Sequence, residues 1–154
     1  MCAYSVGIML IFILLFSVIQ GPSEGCRNKT IFRKLSSNAK DLLLDMHNDI
    51  RRKIAAGNET GGVDPPQPGA GDMRKLVWNE ELELSAQMWA DQCIIGEDKM
   101  RDKLDGTRVG QNYYCGIHPT QETEESIQTG VTVAVQSWYD EISKFSHWMI
   151  EPFM

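Results

Sequence analysis

The stretch SNAKDLLLDMHNDIRRKIAAG, residues 37–57, decides how this chain is read. Ala39, Leu42, Leu43, Met46, Ile50 and Ile54 recur in steps of three and four, which places one apolar stripe along one face of a helix ending near Ala56. Ser37 or Asn38 can cap its start. Asp41 in the first turn and Arg51, Arg52 and Lys53 near the end suit the helix dipole. Gly57 is a natural residue just past the end, where a left-handed backbone is needed. His47 and Arg51 are neighbours at i and i+4, with Asn48 one position round. They have no nucleophile or second metal ligand at helical spacing, so the spacing predicts a polar network tying this helix to its neighbours.

Beyond this helix, Gly61 to Gly71 holds prolines 65, 66 and 68 and four glycines, a composition that excludes a regular element. It reads as an ordered surface connector, since neither flank offers enough apolar surface to fold alone. Asn79 caps a second helix with Glu80, Glu81 and Glu83 in its first turn and Leu82, Ala86, Trp89 and Cys93 on one face. Residues 94–108 are charged and irregular, and Val109 to Cys115 has strand character. A third helical pattern lies within Glu122 to Phe145, through Val131, Val135, Trp138, Ile142 and Phe145. Trp78, Trp89 and Trp138 are expected in the core. The order helix, loop, helix, short strand, helix implies an α+β layered arrangement.

Ahead of all this, Val6 to Ile19 is an unbroken run of apolar or small residues, too short to span a bilayer comfortably. With small residues at Gly21, Ser23 and Gly25 it reads as a secretory signal over 1–25, although no Lys or Arg precedes it. The net charge of −6 is spread over mixed-sign segments, with no basic stripe for nucleic acid and no polybasic cluster for anionic lipid. No stable membrane insertion is expected once the signal is removed. Secretion would permit disulfides. Cys2 falls in the signal and leaves Cys26, Cys93 and Cys115, an odd number. Asn28-Lys29-Thr30 and Asn58-Glu59-Thr60 are glycosylation sequons, and Asn58 is the better acceptor because it follows a helix end.

Five landmarks occur in order: His47-Asn48-Asp49-Ile50-Arg51, Leu76-Val77-Trp78-Asn79, Trp89-Ala90-Asp91-Gln92-Cys93, Val109-Gly110-Gln111-Asn112 and Trp138-Tyr139-Asp140-Glu141. Together they resemble the CAP superfamily of cysteine-rich secretory, antigen-five and pathogenesis-related proteins (the SCP domain), with insect venom allergens of the antigen-five type the nearest in character. The resemblance covers about Cys26 to Phe145. It implies an α/β/α sandwich in which 26–154 is the N-terminal portion of the domain, with later central strands missing and sheet edges left exposed. It also implies a disulfide between Cys26 and Cys93, closing a long loop worth about 4 kcal/mol in the chain-entropy model. Cys115 is then left as a buried thiol, as one whose partner is missing, or as an intermolecular partner.

Many such domains line a cleft with two histidines and two carboxylates, a set suited to a divalent metal. The first histidine position falls at Glu97, in Gly96-Glu97-Asp98; the first carboxylate position is Gln111; the second is Glu141. The later histidine segment lies past Met154. One ligand in four is kept, so no metal, no cofactor and no catalytic residue is expected. His147, six residues after Glu141, and His118 are weak substitutes, and Glu97 beside Asp98 reads as an exposed acidic loop. No His-Glu-x-x-His, Gly-x-Ser-x-Gly or Cys-His signature appears.

The expected function is a secreted, non-enzymatic, extracellular protein that binds another protein or a small amphipathic ligand such as a sterol or fatty acid. A groove lined by Leu43, Met46, Val131 and Val135 is one place for such a ligand. The alternatives are a poorly folded fragment without its own activity, and a metal-dependent hydrolase.

Overall fold

The computed structural model describes residues 2–6, 35–92, 94, 96–116 and 123–149. Among them lie β1 (Cys2–Val6), α1 (Ser37–Ala55), α2 (Glu80–Asp91), β2 (Asn112–Gly116) and α3 (Glu124–Tyr139). Short 3-10 turns follow at Asp140–Lys144 and His147–Met149. Among the described residues the architecture is α+β, with three α-helices and one two-stranded sheet.

Helix α1 starts one residue earlier than the sequence suggests. Ser36, rather than Ser37 or Asn38, accepts the Ala39 amide at 3.1 Å. Three adjacent residues can each serve as a cap, and the choice is made by a distant partner: the Ser36 hydroxyl also donates to Glu124 at 2.6 Å, at the start of α3. With the start moved back, Asp41 lies outside the first turn, which holds no acidic residue. At the other end, Gly57 takes φ +71° as expected. Its amide reaches Ile54 O at 2.9 Å and the Asn58 amide reaches Lys53 O at 3.1 Å. These are the paired bonds of a Schellman ending, which satisfy carbonyls the helix would otherwise leave open.

Helices α1 and α3 run side by side in the same direction. Ser36–Glu124 joins their starts, and Lys53 Nζ donating to Tyr139 Oη at 2.6 Å joins their ends. Between them Leu43, Val131, Ala134, Val135 and Trp138 form the main core with Leu76, and Leu42, Met46, Ile50 and Trp78 pack against it. The residues expected to line a ligand groove lie in this core. Leu43, Val131 and Val135 are fully buried against one another, and Met46 packs on their edge. The two apolar stripes fill each other. Truncating Leu43 there is expected to cost about 2–5 kcal/mol.

The connector is ordered, as its setting predicts. Ala70 N–H donates to Ala55 O at 3.1 Å, bringing the chain back over the end of α1. A methyl group on Gly69 would sit 2.9 Å from Ala55 O, so only glycine allows this approach without a shift. Val63 N–H donates to Phe145 O at 2.8 Å, which ties the connector to the segment after α3.

Asn79 caps α2 as expected, accepting the Leu82 amide at 3.1 Å. Leu82 and Ala86 pack with Val109 in a second small cluster. Trp138 belongs to the main core and half-buried Trp78 packs against it, while Trp89, also half-buried, donates to Gly96 O at 2.9 Å. The strand expected within 109–115 is β2. It pairs antiparallel with β1, Cys2 opposite Gly116 and Val6 opposite Asn112. This pairing partner at the start of the chain was not expected from the sequence. Residues 7–34, which hold most of the expected signal, lie outside the described residues.

Candidate functional site

The positions that the resemblance assigns to the family cleft are Glu97, Gln111 and Glu141, and the structure joins only the first two through a shared loop. Gly96, with φ +118°, turns the chain out of the segment after α2 and into Glu97 and Asp98. The Gln111 side-chain carbonyl accepts the Asp98 amide at 2.6 Å. Arg101 braces the same loop, donating to Val109 O and to Asp98 O, each at 2.9 Å. Gln111 is buried, and its amide nitrogen has no hydrogen-bond partner among the described residues. Its role is to hold loop backbone. Asp98 turns inward on its own loop, its carboxylate accepting the Met100 amide at 2.8 Å.

Glu97 is turned to solvent beside this brace. Its side chain is 56% exposed and lies 3.5 Å from Arg101. Glu141 stands on the 3-10 turn after α3, 71% exposed, with Lys144 at 3.7 Å. Each carboxylate has a basic neighbour within its own turn, and such solvated pairs hold little free energy. His147 does not fold back to Glu141. Its ring nitrogen Nδ1 lies 3.1 Å from Asp64 O, and the ring stacks beside Trp148. Among the described residues, no group of three or more His, Cys, Asp or Glu could hold a metal ion. At the positions that the resemblance assigns to the cleft stand an amide, Gln111, bound to loop backbone, and two solvent-exposed glutamates, Glu97 and Glu141, a set that does not suit the divalent metal such a cleft would hold.

Ser146, His147 and Asp64 adjoin one another, yet they are not a nucleophilic triad. The Ser146 hydroxyl donates directly to the Asp64 carboxylate, and His147 meets the Asp64 backbone carbonyl. The imidazole is therefore not interposed as a base between carboxylate and hydroxyl.

The polar set on α1 is structural, as its spacing predicts. The Asn48 side chain donates to Leu76 O at 3.2 Å and accepts the Leu76 amide at 2.8 Å, all of it buried. One amide thus stands in for a strand neighbour. Arg51 donates from Nε and from a terminal nitrogen to Arg74 O, at 2.9 and 2.7 Å. His47 Nδ1 lies 2.8 Å from Leu43 O, and its ring is 6.1 Å from that of Trp138. Burial lowers the His47 pKa; the Leu43 carbonyl opposes this, and the Arg51 charge adds to it. The imidazole is neutral at neutral pH and serves as packing.

Two buried carboxylates escaped the sequence reading. Glu59 is almost fully buried, with Lys53 Nζ at 2.9 Å, the Tyr139 hydroxyl in direct contact and the Gly61 amide donating to it. Burial alone would raise its pKa, but the hydrogen bonds from Lys53, Tyr139 and Gly61 outweigh it and bring the value to about 2. Glu83 accepts from Lys40 at 2.6 Å and from the Trp78 indole at 2.8 Å, while Lys40 lies over the Trp78 ring. The burial of Glu83 is likewise outweighed by Lys40, and its pKa is lowered. The only signal in the sequence for Glu83 was its i+3 and i+4 company with Ala86 and Gln87 on the inner face. For Glu59 there was none, since it sits in a polar triplet.

Cys26, Cys93, Asn28 and His118 lie outside the described residues, as does the side chain of Cys115. No helix among the described residues is long and apolar enough to cross a membrane.

Residues 44–150 match the model of the "Cysteine-rich secretory protein family", CAP. The chain is 40% identical over 122 residues to "Venom allergen 5" of Vespula flavopilosa, covering 79% of this chain and 57% of that protein. It is 38% identical over 129 residues to "Venom allergen 5" of Polistes dominula, covering 82% of this chain and 53% of that one. A "Venom allergen 3 homolog" of Dinoponera quadriceps is 37% identical over 119 residues, with 77% and 49% covered. The chain thus spans about half the length of these curated relatives. A family match over most of the chain, on helices, caps and core that its own residues account for, places it plainly: this chain belongs to the CAP family and is similar to the venom allergens within it.

Proposed function

We propose that this chain is a secreted, non-enzymatic CAP protein that works by binding, with a protein surface favoured over a small amphipathic ligand as its partner. The observation that carries the non-enzymatic reading is the state of the cleft positions: Glu97 and Glu141 are solvated beside their own basic neighbours, and Gln111 is spent on the Asp98 amide. A sterol or fatty acid entering between α1 and α3 would have to displace Leu43, Val131 and Val135 from the core. Leu84 and Met88, in contrast, lie one turn apart on the outer face of α2 and are 52% and 51% exposed. They give a partner protein an apolar contact without disturbing the fold. The extracellular setting is supported by family membership and by relatives named for venom, which is a secretion.

Calorimetric titration tests the chemistry. Zinc is expected to give no stoichiometric binding. Saturable binding that is abolished in Glu141→Ala would revive a metal-dependent hydrolase. Titration with cholesterol and with oleate is expected to give no saturable signal, and saturable binding lost on Leu43→Met or Val135→Met would restore the groove.

A second reading is a poorly folded chain without activity of its own. A broad, non-cooperative thermal transition with strong binding of a hydrophobic dye would select it. A cooperative transition selects the binding protein.

A further inference from the structure

We propose that Asn58 carries an N-linked glycan, attached where the end of α1 turns its acceptor to solvent. The inference rests on the extracellular reading above, since only the secretory route supplies the transferase.

The geometry behind it is local. Gly57 in the left-handed region closes α1, and the Asn58 amide is used by Lys53 O at 3.1 Å. The Asn58 backbone is thereby fixed while its side chain is left exposed. The next residues alternate. Glu59 is 2% exposed and points inward to Lys53, Tyr139 and the Gly61 amide, whereas Thr60 is exposed. Asn58 and Thr60 are the two positions that N-glycosylation reads, and both face water. The residue between them is the one the fold needs. A glycan at Asn58 therefore displaces no core side chain and breaks none of the Glu59 contacts.

The reaction is a group transfer. A lipid-linked oligosaccharide pyrophosphate gives up its anomeric carbon–oxygen bond, and the Asn58 side-chain nitrogen forms the new carbon–nitrogen bond. The amide loses one proton to the transferase, and the lipid pyrophosphate leaves with the bonding electrons.

The test uses the full-length chain expressed in a secretory cell. Native, undenatured protein is treated with an amidase that releases N-glycans and converts the attached asparagine to aspartate. The tryptic peptide running from Ile54 to Arg74 is then sequenced by mass spectrometry. The expected result is aspartate at position 58, lost in Thr60→Ala and kept in Thr60→Ser. Both replacements fall on an exposed residue and leave folding intact. Unmodified asparagine in protein recovered from the medium overturns the glycan and leaves the extracellular reading standing. Unmodified asparagine in protein retained in the cytosol overturns both. Release that requires prior denaturation overturns the outward placement.

Discussion

Glu59 and Glu141 carry the same side chain and meet opposite fates. Glu59 lies in a polar triplet at the edge of a glycine- and proline-rich connector, and it is buried in a set of hydrogen bonds that joins α1, the connector and α3. Glu141 lies in a family landmark, and it stands in solvent with Lys144 at 3.7 Å. The lesson is that a position in a motif marks ancestry, while satisfied burial marks what a given chain depends on. Polar groups in the interior are tolerated only when paired, and each pairing makes the fold sensitive to that residue. Of the positions that the resemblance assigns to the cleft, Glu97 and Glu141 have no such hold, and only Gln111 is held, by the Asp98 amide.

The contrast can be broken most directly at Asn48, the most deeply buried of the pairing side chains. Asn48→Leu leaves both the N–H and the C=O of Leu76 buried without partners, and is expected to cost about 3 kcal/mol in urea unfolding. A loss below about 1 kcal/mol would mean that water reaches Leu76 and that burial is not the distinguishing feature. Glu59→Ala strands Tyr139 and Lys53, with an expected cost of about 2 kcal/mol, reduced from the fully buried case because Lys53 is 43% exposed. The same residue sets a pH dependence. Its carboxyl titrates at about 2 when folded, against 4.5 as the reference. The stabilisation it provides is therefore complete above about pH 4.5 and lost as the pH falls towards 2. Stability measured across that window should be flatter in Glu59→Ala than in the parent, and equal slopes would remove Glu59 from the account. Gly57→Ala forces a side chain into φ +71° and is expected to cost about 1 kcal/mol. At the other pole, Glu97→Ala and Glu141→Ala should each change stability by less than about 0.5 kcal/mol. A large loss at Glu141 would erase the contrast.

Local features of the fold were legible in the sequence. The apolar steps through Ala39, Leu43, Val131 and Val135, the Asn79 cap and the Gly57 ending each follow from rules that act within a few residues. What escaped were choices settled across the chain. Ser36 was preferred as cap because Glu124 waits for its hydroxyl, far away in sequence. Strand β1 was invisible because Cys2–Val6 borders an apolar run and its pairing with β2 is long-range. The expected groove is a similar case: two apolar stripes can be read singly, but only their mutual packing shows Leu43, Val131 and Val135 buried against one another. At the site, the substitutions at Glu97 and Gln111 were legible as letters. That Gln111 would grip the Asp98 amide, and that Glu141 would be left outside, required the fold.

The clasp between Asn48 and Leu76 also limits which amino acids the chain can accept at one position. It needs a planar group with a donor and an acceptor side by side, held on a single methylene. Aspartate has the shape and lacks the donor; glutamine has both functions and is a methylene too long; serine and threonine offer a single oxygen. A library randomised at position 48 and selected for folded protein should return asparagine and little else, whereas one randomised at position 97 should return almost anything polar.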